Sequence, residues 1–219
     1  MKNQIHIIWD LDGTLIDSAP EIKQVLDISV KEAGFSKIEP VNIFRSGPPL
    51  DKVLEYMYGN KLAEENIKQI ISVFRKNYDN CGFNHTPSYE GIEEILVDTR
   101  FVHHIVTNKP DLATRRILEK LGWEKYFASV VTPYSYMKSA SDKRKTKTEL
   151  FALCIADYPN EKFVGIGDME TDAKAALDNN MLAIGVLWGT GTKIELETCG
   201  CNYITTSVFE LHKLLVKGI

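Results

Sequence analysis

Long apolar runs, a disulfide framework and an excess of positive charge are all missing from this 219-residue chain. No stretch approaches the roughly 20 consecutive apolar residues of a membrane span, so no membrane partner is expected. The four cysteines (Cys81, Cys154, Cys199 and Cys201) are scattered, as reduced thiols are, and Cys199-Gly-Cys201 lacks the second Cys or His pair of a metal site. A net charge of −4 argues against nucleic acid as a partner. The first residues run straight into strand-like sequence without the layout of a signal peptide, which makes the cytoplasm the expected compartment. Repeats and low-complexity tracts are missing too. What remains is an ordinary globular composition, long enough for one domain or for one domain carrying a small insertion.

Ile5-His6-Ile7-Ile8-Trp9 is an apolar run with a β-branched core, and it ends in Asp10-Leu11-Asp12-Gly13-Thr14. The run reads as a buried strand, with Gly13 marking a sharp turn out of it. Ligands of open α/β sheets bind beyond the carboxyl ends of the strands. Two carboxylates placed there, with no cation beside them in sequence, call for a bound metal or a raised pKa. The alternative is a solvated acidic turn.

After Thr14 the pattern turns helical for some seventy residues. One helix starts near Pro20 and ends at Gly34. A second spans Pro49 or Leu50 to about Tyr58. A third runs from about Ala63 to Tyr78, with Ile67, Ile70, Ile71 and Phe74 on one stripe. Alternation of strand and helix then begins near Tyr89. Helices are expected at 91–99, 110–121, 147–157, 171–180 and 207–216, and strands at 101–108, 128–132, 162–166, 182–187 and 203–205. That order argues for a parallel, doubly wound sheet, interrupted after its first strand by an inserted all-helical cap. The expected boundaries are 1–15 with 85–219 for the α/β core and 16–84 for the cap.

Three more strand ends carry chemistry. Thr107-Asn108 supplies a hydroxyl and an amide. A basic stretch holds Lys143, Lys145 and Lys147. Asp168-x-x-x-Asp172 places two carboxylates at a strand end and in the next helical turn. Acids from two strand ends, a hydroxyl and a lysine are the parts that hold Mg²⁺ and a phosphoryl group, whose oxygens need neutralising in transfer. His6, His103 and His104 lie inside strands, where packing is the simpler role, and Trp188 is read as packing as well.

The set Asp10-Leu-Asp12-Gly-Thr14, Thr107-Asn108, a lysine, and Gly167-Asp168-Met-Glu-Thr-Asp172 resembles the haloacid dehalogenase superfamily over essentially the whole chain. Ser46-Gly47-Pro48-Pro49-Leu50 and Ile184-Gly185-Val186-Leu187-Trp188-Gly189-Thr190-Gly191 are similar to its phosphoglycolate phosphatase-like branch. The resemblance implies a Rossmann-like core with a helical cap that closes over the site. It implies Asp10 as nucleophile and Asp12 as general acid–base. Mg²⁺ would be held by Asp10, the backbone carbonyl of Asp12 and Asp168, with Asp172 in support, and the phosphoryl oxygens by Thr107, Asn108 and a lysine. Many relatives carry a Lys-Pro-x-Pro motif that would fall near Lys143, but no such prolines are present here. Thr146-Lys147-Thr148-Glu149 is a capping-box pattern that puts Lys147 in a first helical turn, and Lys147 is favoured over Lys145 and Lys143. Arg45 in the cap is a candidate contact for an anionic substrate tail. The implied activity is hydrolysis of a small phosphorylated metabolite. A phosphomutase, a pyrophosphatase or 5′-nucleotidase and a non-catalytic binding protein are the alternatives, and the choice between monomer and homodimer is open.

Overall fold

A computed structural model describes residues 4–36, 50–133 and 143–218. They form two compact units, one of residues 1–17 and 88–219 and one of residues 18–87. Arg45, the Ser46–Pro49 segment and Lys138 lie outside the described residues.

The larger unit is a six-stranded, all-parallel sheet. Its strands are β1 (Ile5–Trp9), β2 (Phe101–Val106), β3 (Phe127–Val131), β4 (Lys162–Gly167), β5 (Leu182–Val186) and β6 (Tyr203–Thr205). They lie in the order β3-β2-β1-β4-β5-β6, the doubly wound order whose direction of winding reverses between β1 and β4. β1 is central, pairing with β2 from Ile5 opposite Phe101 and with β4 from Ile5 opposite Lys162. Ile7, Ile8 and Trp9 are fully buried. A strand covered on both faces reads as a continuous apolar run, which is why β1 was so legible.

The helices α1 (Ala19–Glu32), α2 (Leu50–Tyr58) and α3 (Glu64–Asn80) make up the smaller unit. α3 buries Ile67, Ile70, Phe74 and Tyr78, and its polar edge is tied to α1 by Asn77 Nδ2, which donates to Ser29 Oγ (3.1 Å) and Glu32 Oε2 (2.7 Å). In the larger unit follow α4 (Ile92–Leu96), α5 (Asp111–Leu121), α6 (Lys147–Ala156), α7 (Glu170–Asp178), α8 (Lys193–Thr198) and α9 (Val208–Lys217). α6 and α7 share one core with the sheet, in which Leu150, Phe151, Ala173 and Ala176 pack with Ile8 and Val106. Each large side chain fully buried in this way contributes roughly 1.5–3 kcal/mol.

Three expectations need correcting. The helix placed at 91–99 ends at Leu96, because Asp98 accepts from the backbone N–H of Arg100 (3.0 Å) and closes a turn before β2. The strand placed at 101–108 ends at Val106, and Thr107 and Asn108 belong to the loop beyond it. Helix α8 was not expected; its signal is a second capping box, with Thr192 Oγ1 accepting from Glu195 N–H (3.3 Å), on a helix of only 6 residues.

Candidate active site

Asp10 is the first residue past β1, and its N–H donates to Ile166 O (2.9 Å), so the backbone is still tied to β4 where the side chain emerges. The chain then turns tightly, with Leu15 and Ile16 N–H both donating to Leu11 O (3.0 and 3.1 Å). Gly13 sits at φ +82°, a conformation L side chains avoid, and a Cβ there would lie 2.5 Å from Asp168 Oδ2. The turn can therefore lie against the β4 strand end only with glycine at this position.

Asp168 follows β4 directly and is fully buried. Its Oδ2 accepts from Thr190 N–H (2.7 Å) and Thr190 Oγ1 (3.0 Å), and its Oδ1 from Thr14 Oγ1 (3.3 Å). Asp172 lies in the first turn of α7, and its Oδ2 accepts from Met169 N–H (3.0 Å). Gly167 lets that carboxylate lie over the strand end, since a Cβ at 167 would collide with the Asp172 side chain.

One oxygen each of Asp10, Asp168 and Asp172 lies within 4.8 Å of the others, and all three residues are buried. Burial pushes the Asp10 carboxyl up to about 7, with Lys147 opposing and Asp172 and Asp12 adding to the rise. Burial, then the charge of Asp10, raises Asp168 to about 6. Asp172 is raised mainly by burial. Against these acids stands Lys147. Its Nζ is 2.5 Å from Asp10 Oδ1 and is also ion-paired with Asp172. Burial alone would discharge Lys147, but Asp10 and Asp172 together push its pKa above the usual lysine value. When all three are ionised, the carboxylates facing the Lys147 ammonium leave two negative charges, and an all-oxygen donor set with that charge fits a hard divalent cation such as Mg²⁺.

The local sequence explains why Lys147 is the lysine that arrives. Thr146 caps α6, accepting from Glu149 N–H (3.3 Å) while its own N–H donates to Glu149 Oε2 (2.6 Å), so the next residue starts the helix beside the sheet edge. Lys143 is exposed and Lys145 only half-buried. Thr107 is buried, and its Oγ1 accepts from Lys109 N–H (3.1 Å). Asn108 is exposed, and its carbonyl accepts from Arg144 Nη2 (3.2 Å).

Two features escaped the sequence reading. Asp12 has a cation beside it after all: Lys109 Nζ lies 2.8 and 3.2 Å from its two carboxylate oxygens. Thr190, between two glycines, anchors Asp168. The sequence carried only a weak signal for each, a lysine in the loop after β2 and a hydroxyl in the loop after β5, at strand ends where ligands gather. The remaining candidates pack. Trp9 Nε1 donates to His103 Nδ1 (3.1 Å), and His104 lies on the opposite face of β2, within 2.9 Å of His6 Nδ1 and 2.8 Å of Ser129 Oγ. Trp188 Nε1 donates to Thr14 O (3.0 Å). All four cysteines are free. Among the described residues, no helix is long and apolar enough to cross a membrane.

Residues 7–186 match the haloacid dehalogenase-like hydrolase family. The chain is 30% identical over 188 residues to a phosphoglycolate phosphatase of Aquifex aeolicus, covering 84% of each protein. It is 27% identical over 217 residues to the tyrosine-protein kinase PtkA of Mycobacterium tuberculosis, covering 95% of this chain and 72% of PtkA. A crystal structure of a "predicted phosphatase" from Clostridium acetobutylicum superposes with a TM-score of 0.81 at 31% identity, covering 99% of this chain and 100% of that one. With a match that runs from the first strand through the strand ends bearing Asp10, Asp12, Asp168 and Asp172, the chain belongs to the haloacid dehalogenase-like hydrolase family.

Proposed function

We propose that the chain is a Mg²⁺-dependent phosphatase that hydrolyses a small, phosphoglycolate-like phosphomonoester through an aspartyl-phosphate on Asp10. The observation that carries the reading is the buried triad of Asp10, Asp168 and Asp172 with the Lys147 ammonium paired to two of its members. A carboxylate oxygen of Asp10 attacks phosphorus, and the bond from phosphorus to the alcohol oxygen breaks with its electron pair staying on that oxygen. Asp12 gives the departing oxygen a proton. It then takes a proton from the water that attacks the aspartyl-phosphate, releasing phosphate and restoring Asp10. Lys147, Thr107 and Asn108 hold the phosphoryl oxygens. The Asp10, Asp168 and Asp172 carboxylates and the Asp12 backbone carbonyl would hold Mg²⁺, which when bound supplies positive charge to the phosphoryl oxygens. The helical unit of residues 18–87 is the cap in this reading, and it selects the alcohol portion of the substrate, with Arg45 a candidate contact.

The test is a panel of phosphoglycolate, pyrophosphate, nucleoside monophosphates and sugar phosphates with Mg²⁺, read as released phosphate. Release from at least one phosphomonoester is expected, reduced to background by chelation and by Asp10→Asn. Full activity in that variant would sink the mechanism. Release that requires a bisphosphate activator would favour a mutase. The similarity to PtkA carries a second reading, and ATP-dependent labelling of protein tyrosine without phosphate release would favour it.

A further inference from the structure

Lys109 has no part in the mechanism above, yet its ammonium is among the most enclosed charges of the α/β unit. Its side chain is 3% exposed, and that of Asp12 is 18% exposed. A buried ammonium is costly unless it is paired and hydrogen-bonded, and this one contacts both oxygens of the Asp12 carboxylate, at 2.8 and 3.2 Å. The loop around it is built to deliver it. The Lys109 N–H donates to Thr107 Oγ1 (3.1 Å), and Pro110 caps α5, whose Thr114 N–H donates back to Pro110 O (3.0 Å). The backbone on both sides of Lys109 is thereby fixed, and so is the origin of its side chain. A carboxylate offers about four lone-pair sites, so an ammonium across two of them leaves the others open. Asp12 itself hangs from the turn in which Leu15 and Ile16 N–H donate to Leu11 O, and Lys109 Nζ donates to its carboxylate.

We propose that Lys109 is a positioning residue, which fixes the direction of the Asp12 carboxyl so that it faces the departing oxygen and then the attacking water. The proposal rests on the phosphatase reading and on the proton-transfer role given to Asp12. Misplacing a reacting group by about 1 Å costs on the order of a hundredfold in rate, which sets the size of the effect.

The test compares wild type, Lys109→Met, Asp12→Asn and the double variant, with 4-nitrophenyl phosphate in the presence of Mg²⁺. A nitrophenolate leaves without needing a proton, so the first burst of product reports attack by Asp10, and the steady state reports the water step that needs Asp12. In Lys109→Met the burst rate and kcat/KM are expected to stay within about threefold of wild type, and steady-state kcat to fall about a hundredfold with KM falling alongside it. In the Asp12→Asn background the same change is expected to alter kcat less than about threefold, because its target is gone. A burst and steady state that fall together, an unchanged kcat or a full further loss in the double variant would each overturn the proposal. Wild-type rates in Asp12→Asn would instead overturn the reading on which it rests. Lys109→Gln gives the same comparison if the methionine variant does not fold by thermal melt.

Discussion

Lowering the pH from 7.5 to 5 charges His103 in the unfolded chain but not in the folded one. Burial pushes the imidazole down to about 4 from an ordinary 6.5, and the indole N–H of Trp9 occupies its Nδ1, so the folded ring is the neutral form. Above pH 6.5 both states are neutral and the full stability is present. As the pH falls below 6.5 the unfolded chain takes up a proton that the folded chain refuses, and stability drains until the pH passes the folded value. A gap of about 2.5 units corresponds to roughly 3 kcal/mol in all, of which about 2 kcal/mol is gone by pH 5. Asp10 and Asp168, raised to about 7 and about 6, act with the opposite sign, since the folded state then binds protons the unfolded state does not. The wild-type curve is therefore a sum of opposed effects, and a variant is needed to isolate one. His103→Gln keeps an acceptor for Trp9 and cannot titrate. Urea unfolding of both proteins at pH 7.5 and 5 should show wild type losing about 2 kcal/mol relative to the variant between the two. A difference that stays constant within about 0.5 kcal/mol would refute the assignment.

Two further outcomes follow from the site. Gly13→Ala forces a side chain into φ +82° against the Asp168 carboxylate; it should lower activity at least about tenfold and destabilise by about 1–2 kcal/mol, checked by kcat and urea unfolding. Lys147→Met removes the ammonium that faces Asp10 and Asp172, so the folded pKa values of both acids rise further. With folded values above unfolded ones, the loss grows as the pH rises, and metal-free melting temperature should fall more at pH 8 than at pH 6.

The sheet was legible because β1, β4 and β5 are largely buried and read as mostly apolar runs, β1 and β4 each followed directly by an aspartate. The acids were legible for the same reason: a charged residue that ends an apolar strand has few structural excuses. Lys147 was legible through its capping box, a purely local signal. What stayed hidden depends on tertiary distance. Asp12 and Lys109 are 97 positions apart, and Thr190 and Asp168 are 22 apart across a β–α connection. Neither pairing leaves a periodic trace. The early stop of α4 was missed because it is set by the Asp98 side chain in the turn before β2, and side-chain hydrogen bonds override a helical pattern at its end.

In the proposed reaction Asp10 forms a covalent bond to phosphorus. Borohydride quenching during turnover of 4-nitrophenyl phosphate, followed by peptide mass spectrometry, tests it most directly, because an acyl phosphate is reduced and a free carboxylate is not. Homoserine is expected at position 10 in the wild-type protein, with no reduction in the absence of substrate. Reduction at another aspartate, or none during sustained phosphate release, would contradict it.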